Sequence, residues 1–324
     1  MSEIVRWGIL GAAKFAREHM GPAIHMARGA ELAALATGSA EKAVPFAAFA
    51  PGLTVHTSYE ALLQDPGIDA VYIPLPNHLH ADWALKAMEA GKHVLVEKPV
   101  ALTAAEVDPL IAKREEAGVL ATEAYMIVHH PQWQRARHLV QDGAIGDLIH
   151  VEGFFAFDNS ADTTNIRNSS AVGGGGIYDI GVYTYGATRY VTGQEPDAIT
   201  HADLTFENGV DVIARVSARF PDFSAHWVNS MRMHPMQTMT FYGNKGALRL
   251  TAPFNPNVFD QAVLELHQTD MGVRTERFPG VNHYVLQVEN FCASVRNGQA
   301  YPWTLEDAQG TLAMIDAVFA KADE

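Results

Sequence analysis

One cysteine, Cys292, stands in 324 residues, so the chain can form neither an internal disulfide nor a cysteine-based zinc site. No apolar run reaches the roughly 18 residues that a membrane-spanning helix needs. Positive charge is scarce: 23 Lys+Arg oppose 37 Asp+Glu, a net charge of −14. A chain this acidic repels polyphosphate backbones and anionic lipid, which argues against nucleic acid and membrane surfaces as partners. The opening Met1-Ser2-Glu3-Ile4-Val5-Arg6 enters an apolar strand without a basic region and a cleavable apolar core. No targeting signal is read there, and a cytoplasmic location is expected. Metal-ligand spacings such as H-E-x-x-H are missing; His78 and His80 would face different ways on a helix, His129-His130 is no better, and no metal is expected.

What is present suggests about two domains at this length. Up to about residue 122, short apolar runs (4–10, 32–36, 54–56, 70–73, 94–96, 119–121) alternate with helical stretches, the pattern of βαβ units and a doubly wound parallel sheet. Thr103-Ala104-Ala105-Glu106 reads as a capping box, and Gly91 and Gly118 as helix ends. Further on, helices are expected at 129–141 and up to about 191, with strands at 148–157, 199–206, 210–220, 226–234, 236–243 and 247–250. Strand following strand implies a largely antiparallel sheet, hence an α+β domain over 123–324. Two helices close the chain, marked by the stripes Val285, Val288, Phe291, Cys292, Val295 and Leu305, Ala308, Leu312, Ile315, Phe319.

The turn after the first strand, Gly11-Ala12-Ala13-Lys14-Phe15-Ala16, is a degraded G-x-G-x-x-G/A fingerprint. Gly11 supplies the tight turn and Ala16 allows close helix packing; Ala13 stands where a second glycine usually permits close approach. Gly11, Ala13, Lys14 and Phe15 are taken as cofactor-facing, because backbone N–H groups at a helix start suit a pyrophosphate. An ordinary tight βα turn is the plainer alternative. At the second strand's end, where an NAD site carries a carboxylate, the chain reads Ala36-Thr37-Gly38-Ser39-Ala40-Glu41-Lys42. Thr37, Ser39 and Lys42 suit a 2′-phosphate, so NADP is expected ahead of NAD; the alternative is a plain helix start with Ser39 as N-cap and Lys42 solvated. Pro74, Asn77 and His80 follow the 70–73 strand at the carboxyl edge where open α/β sheets bind ligands.

Glu97-Lys98-Pro99 is delivered to the same edge by a buried strand. A lysine there needs either a function or an ion pair to offset its desolvation. Far downstream, Gly173-Gly174-Gly175-Gly176-Ile177-Tyr178-Asp179-Ile180-Gly181-Val182-Tyr183 joins a glycine loop to a helix. Asp179 and Tyr183 are four apart and share a helix face, and glycines ahead of them let another molecule approach the backbone. The alternatives are a first-turn carboxylate favoured by the helix dipole and a core aromatic. The polar loop 158–170, with Asp162, Asn165 and Arg167, suits sugar hydroxyls or simply solvent; Arg167 is also a candidate for the cofactor. Trp227 and Tyr284 are candidates for stacking on a sugar face, against core packing.

Taken together, Glu97-Lys98-Pro99 and the G-G-G-x-x-x-D-x-G-x-Y run resemble the Gfo/Idh/MocA oxidoreductase family. The resemblance extends from Trp7-Gly8-Ile9-Leu10-Gly11 to Trp303-Thr304-Leu305-Glu306-Asp307-Ala308. Glu123-Ala124-Tyr125-Met126 with His129-His130-Pro131-Gln132 is similar to the branch of dimeric dihydrodiol dehydrogenases, NADP-dependent xylose dehydrogenases, glucose–fructose oxidoreductases and deoxysugar 3-ketoreductases. Inositol dehydrogenase-like members carry histidine where Tyr183 stands. The resemblance implies a Rossmann domain plus an α+β domain, with Lys98, Asp179 and Tyr183 around the reacting carbon. It implies Tyr183 as proton donor/acceptor, Lys98 polarising the substrate oxygen and tuning Tyr183, and Asp179 orienting them. The expected function is NADP-dependent hydride transfer at a carbonyl or carbinol of a sugar, polyol or diol, in a homodimer joined through the C-terminal sheet. The last helix is a candidate to pack back on the first domain. Alternatives are a nucleotide-linked keto-sugar reductase and a non-catalytic dinucleotide-sensing regulator.

Overall fold

The structure, a computed structural model, describes residues 4–256, 258–269, 271–322 and 324; Met1-Ser2-Glu3, which opened the stretch read for a targeting signal, lie outside them. The chain folds as two compact units. One runs to His129 and takes in Asn282–Ala308; the other comprises His130–Val281 and the segment from Gln309 on.

In the first unit, strands β1 (Val5–Leu10), β2 (Ala30–Ala36), β3 (Thr54–His56), β4 (Ala70–Ile73), β5 (His93–Val96) and β6 (Ala121–Glu123) form one parallel sheet in the order β3-β2-β1-β4-β5-β6. This is the doubly wound arrangement, and its order reverses between β1 and β4. Helices α1 (Gly21–Met26), α2 (Ala40–Ala47), α3 (Tyr59–Leu63), α4 (His80–Glu89) and α5 (Asp108–Ala117) connect the strands. Trp7, Ile9, Leu35, Val71, Tyr72, Ile73 and Leu95 are buried, as strands covered on both faces require. A π-helical turn, Ala16–Met20, precedes α1, where Pro22 cannot donate to the helix ladder.

The second unit is built on α6 (Pro131–Gln141), β7 (Leu148–Asp158), α7 (Val182–Thr192), β8 (Ala198–Glu207), β9 (Val210–Arg219), β10 (Ser224–Ser230), β11 (Arg232–Gly243), β12 (Gly246–Thr251), β13 (Val263–Gln268) and β14 (Gly272–Arg277). Its strands lie in the order β14-β13-β12-β11-β7-β10-β9-β8, with β7 and β10 parallel and the other pairs antiparallel. Helix α7 is buried along its length and packs on one sheet face, where Trp227 Nε1 donates to Thr188 Oγ1 at 3.2 Å and Thr184 bonds Asn229. Helices α8 (His283–Asn297) and α9 (Leu305–Ala322) complete the chain.

Several expectations shift. The sixth strand begins at Ala121 rather than Val119, because Gly118 ends α5 in the left-handed region and Val119 N–H still bonds Arg114. That shift puts Glu123 at the strand's end. The expected box does not form: the Thr103 side chain makes no cap bond, and Glu106 accepts from the N–H of Leu102, the residue before the N-cap. The break expected at residue 235 falls at Met231, and Pro235 instead marks a register irregularity inside β11. Strands β13 and β14 had no expectation, since β14 is almost wholly exposed and shows no apolar alternation. The alternate apolar set Val210, Val212, Ala214, Val216 and Ala218 is buried, and the other face of β9 carries Arg215, Ser217 and Arg219.

Candidate active site

In the turn after β1, Gly11 has φ +98, and a Cβ there would lie 3.1 Å from a Leu75 methyl and 3.3 Å from the Tyr59 hydroxyl. Ala13 is not a positive-φ position; its carbonyl accepts from Arg17 N–H at 3.0 Å and opens the helix, so alanine is tolerated there. Lys14 is exposed, and Phe15 packs its ring on His19 and Tyr284 at centroid distances of 4.9 and 5.5 Å. At the start of α2 the Ser39 hydroxyl accepts from Lys42 N–H at 3.4 Å and Thr37 Oγ1 accepts from Ser39 N–H at 3.3 Å. The N-cap reading is therefore realised, yet it leaves the Ser39 hydroxyl proton available. A Cβ on Gly38 would meet nothing within 4 Å, and Lys42 is exposed. Two hydroxyls, helix N–H groups and a cation around open space form a donor set that fits a phosphate monoester.

The carboxyl edge of β4 and β5 is occupied by a braced turn. Tyr72 donates its hydroxyl to Glu97 Oε1 at 2.5 Å, and Lys98 N–H donates to Glu97 Oε2 at 3.2 Å. The Lys98–Pro99 peptide is cis. His80 is wholly buried, with Nδ1 at 2.7 Å from the Pro99 carbonyl and Nε2 at 2.7 Å from the Leu75 carbonyl. Both ring nitrogens thus face main-chain acceptors, and the imidazole ties the turn after β4 to the turn after β5. Burial holds His80 down at about 4 despite those carbonyls. From β6, Glu123 accepts Val100 N–H at 2.9 Å and Trp303 Nε1–H at 3.0 Å; burial pushes its carboxyl up to about 7. Pro74 is buried, Asn77 half-buried, and Lys98 itself half-buried. Burial and the nearby Glu97 charge raise the Tyr284 phenol.

In the second unit, Asp179 lies in a second π-helical turn, Ile177–Gly181, which leads into α7 and Tyr183. Such turns recur at functional sites because they re-aim side chains along a helix. Arg167 Nε donates to Asp179 Oδ2 at 2.6 Å, and the Asp179 side chain is only 13% exposed. Tyr183 is buried, its ring against Phe254 and Phe155 at 5.7 and 6.0 Å. Phe155 and Phe254 stack on each other at 4.8 Å. Phe254 is fixed in turn: Gln237 Oε1 accepts its N–H at 3.3 Å, and the neighbouring Pro253 carbonyl accepts Trp133 Nε1–H at 2.7 Å.

Glycines 174–176 lie tightly against other parts of this chain. A Cβ on Gly174 would sit 2.5 Å from the Arg167 carbonyl, and one on Gly175 would sit 2.3 Å from Asp211 Oδ1. Asp211, on β9, was not among the residues singled out from sequence. Its signal was a carboxylate inside an apolar strand. Asp162 accepts from Thr164 and Asn165 within the exposed loop, and Asn165 Oδ1 caps Arg167 N–H. Trp227, a stacking candidate, is core: it is wholly buried against Tyr185 and Phe220.

Residues 5–125 match the model of an oxidoreductase family with an NAD-binding Rossmann fold, GFO_IDH_MocA, and residues 133–249 match the GFO/IDH/MocA C-terminal domain. The chain belongs to the GFO/IDH/MocA oxidoreductase family. It is 37% identical to an uncharacterized oxidoreductase, ORF334, of Rhizobium meliloti, over 99% of this chain and 98% of that one. It is 33% identical to the D-xylose 1-dehydrogenase (NADP(+)) 2 of Haloferax volcanii, over 98% of this chain and 97% of that one. Among solved structures, KijD10, a 3-ketoreductase from Actinomadura kijaniata in complex with NADP and TDP-benzene, superposes with a TM-score of 0.90 at 29% identity, covering 98% of each chain.

Proposed function

We propose that this chain is an NADP-dependent oxidoreductase that moves a hydride between nicotinamide and the carbonyl or carbinol carbon of a sugar, polyol or diol. The observation that carries this reading is the prepared setting of its reactive groups. Lys98 sits on a turn braced by Glu97, His80 and Glu123. Asp179 is held by Arg167, and Tyr183 is locked among Phe155 and Phe254. The likeness to an NADP(+)-linked D-xylose dehydrogenase and to a 3-ketoreductase in complex with NADP points the same way.

The cofactor half is assigned to Gly11, Ala13, Lys14 and Phe15 for the pyrophosphate. Thr37, Ser39 and Lys42 take the 2′-phosphate, and Pro74, Asn77, His80, Glu97 and Lys98 line or support the nicotinamide end. Within that set His80 acts by holding the turns, since its ring is buried. Arg167, assigned earlier to substrate or cofactor, is given to Asp179.

When bound, the nicotinamide supplies the hydride acceptor or donor. Tyr183 gives a proton to the carbonyl oxygen during reduction and takes it from the hydroxyl during oxidation. A phenol is a poor base at neutral pH unless a cation stands by, and that service is assigned to Lys98, which also polarises the same oxygen. Asp179 orients one or both of these side chains.

The test is Tyr183→Phe, assayed on a panel of aldoses, keto sugars and diols by reduced-nicotinamide absorbance. Turnover is expected to fall at least about 100-fold with NADPH binding unchanged; near wild-type turnover would discard the assignment. A second reading, reduction of a nucleotide-linked keto sugar, is favoured by the likeness to KijD10. It asks for cations to hold a diphosphate, whereas Arg167 is bonded to Asp179 and Arg232 to Glu207, Asn159 and Asn168. Retention of Lys98, Asp179 and Tyr183 speaks against a non-catalytic sensor. A cytoplasmic homodimer is part of the same proposal. The sheet face that bears the cross-strand row Thr238, Phe154, Val228, Arg215 and Asp203 is the surface we assign to it. No helix among the described residues is long and apolar enough to cross a membrane.

A further inference from the structure

We propose that Asp211 is a positioning residue for the reaction: its buried carboxylate anchors the first turn of the helix that carries Asp179 and Tyr183. This rests on the function proposed above. Asp211 is 2% exposed and lies one residue into β9, just after the Asn208-Gly209 hairpin turn, where both residues have positive φ. Its Oδ2 accepts Ile177 N–H at 2.7 Å, the first N–H of the π-helical turn that contains Asp179.

The last two glycines of the run make room for this carboxylate. Gly175 has φ +125, and its added Cβ would lie 2.3 Å from Asp211 Oδ1; one on Gly176 would lie 3.1 Å from Oδ2. On the other side, Gly174 N–H bonds the Ser169 carbonyl and Gly175 N–H bonds the Arg167 carbonyl, both at 2.9 Å. The segment whose main chain closes the turn is thus the one whose Arg167 side chain holds Asp179. Strand β9, the 158–170 loop and the helix start are clamped at one point.

Burial pushes the Asp211 carboxyl up to about 6, partly offset by the backbone N–H groups of Ile177 and Gly176, while the Asp179 charge adds to the rise. The carboxyl is aimed at the positive end of a helix, where the dipole favours its charged form. A hydrogen bond from a main-chain N–H to a charged, desolvated acceptor is among the stronger ones a protein makes. Asp211 does not itself touch the reacting atoms in this account; it sets where Asp179 and Tyr183 stand.

The experiment compares wild type, Asp211→Asn, Asp211→Ala and Gly175→Ala, using the full chain with NADPH and the aldose panel. Backbone hydrogen exchange is followed over residues 174–184 and, as a control, over 5–16. Asp211→Ala and Gly175→Ala, which break the contact from its two sides, are expected to speed exchange in 174–184 at least tenfold and leave 5–16 unchanged. Their kcat is expected to drop 10- to 100-fold with KM and NADPH affinity within about twofold. Asp211→Asn keeps an oxygen acceptor and is expected to recover kcat to within fivefold. Unchanged exchange in 174–184, or faster exchange with unchanged kcat, overturns the proposal. So does an asparagine variant as slow as alanine. A wild-type chain that binds NADPH but turns nothing over sinks the proposed activity instead, and the exchange comparison still decides the anchor.

Discussion

The Arg167 guanidinium holds Asp179 through a 2.6 Å bond from Nε to Oδ2, with the carboxylate mostly sheltered and the arginine 42% exposed. Removing the cation takes a 2.6 Å charged bond away from a sheltered carboxylate, which costs more than a surface ion pair is worth. Arg167→Met is expected to lower kcat/KM by about 10- to 100-fold, roughly 1.4–3 kcal/mol of transition-state stabilisation. Arg167→Lys should recover only part, because a point cation cannot reproduce the directed guanidinium bond. Steady-state kinetics beside an NADPH titration checks this: a loss confined to cofactor affinity would return Arg167 to the dinucleotide.

Glu123 yields a pH prediction. Its folded value of about 7 lies above the ordinary 4.5, chiefly through burial. Between those two pH values the folded chain keeps a proton that the unfolded chain has released. The contribution is therefore fully present below about 4.5 and lost as pH rises through about 7. The size is about 3 kcal/mol as an upper figure. Urea unfolding of wild type and Glu123→Gln at pH 5 and pH 8 should show the variant gaining on wild type as pH rises. A constant difference between the two proteins would contradict the assignment.

Buried histidines act with the opposite sign over much the same range. Burial depresses His80 and His130 to about 4 and His129 to about 3, from 6.5. Below pH 6.5 the unfolded chain takes up protons that the folded chain refuses, so this stability is present above 6.5 and is lost as pH falls through the folded values. Acid unfolding is expected to begin between pH 6 and 4 and to be steeper in wild type than in His129→Gln. Melting temperature against pH for the two proteins is the measurement; parallel curves would remove His129 from the account.

Cofactor choice is assigned to the start of α2. Lys42→Ala should weaken NADPH binding by about 10-fold, near 1.4 kcal/mol, while NADH binding changes little. Fluorescence titration with both cofactors reads it directly. Equal losses for NADPH and NADH would mean that Lys42 contributes general charge rather than recognition of the 2′-phosphate.

The legibility of this protein in its sequence follows the range of the interactions involved. Strand β4 is read at its observed ends because all four residues, Ala70 to Ile73, are buried and apolar. Strand β14 is invisible because Val273, Arg274 and Glu276 share no face pattern; it is placed by pairing with β13. Lys98 stands out as a charge at the end of a buried strand, but the side chains that brace its turn do not. Tyr72, His80 and Glu123 come from other strands and a helix, and their roles exist only once β4, β5 and β6 lie side by side.

The sequence by itself determined the class of fold, the dinucleotide turn at Gly11 and the reactive trio Lys98, Asp179 and Tyr183 as candidates. The fold class and the turn rest on local periodicity and turn chemistry; the trio rests on the resemblance that the Glu97-Lys98-Pro99 and glycine–Asp–Tyr motifs carry together. It also excluded disulfides and cysteine-bound zinc through its one cysteine. Only the tertiary structure showed what lies against Gly175 and Gly176, because their neighbour Asp211 is distant in sequence and arrives by way of the β8–β9 hairpin. It likewise gave Arg167 to Asp179 and moved Trp227 into the core. Side-chain partners across a sheet are set by register, and register is a property of the assembled strands rather than of any one of them.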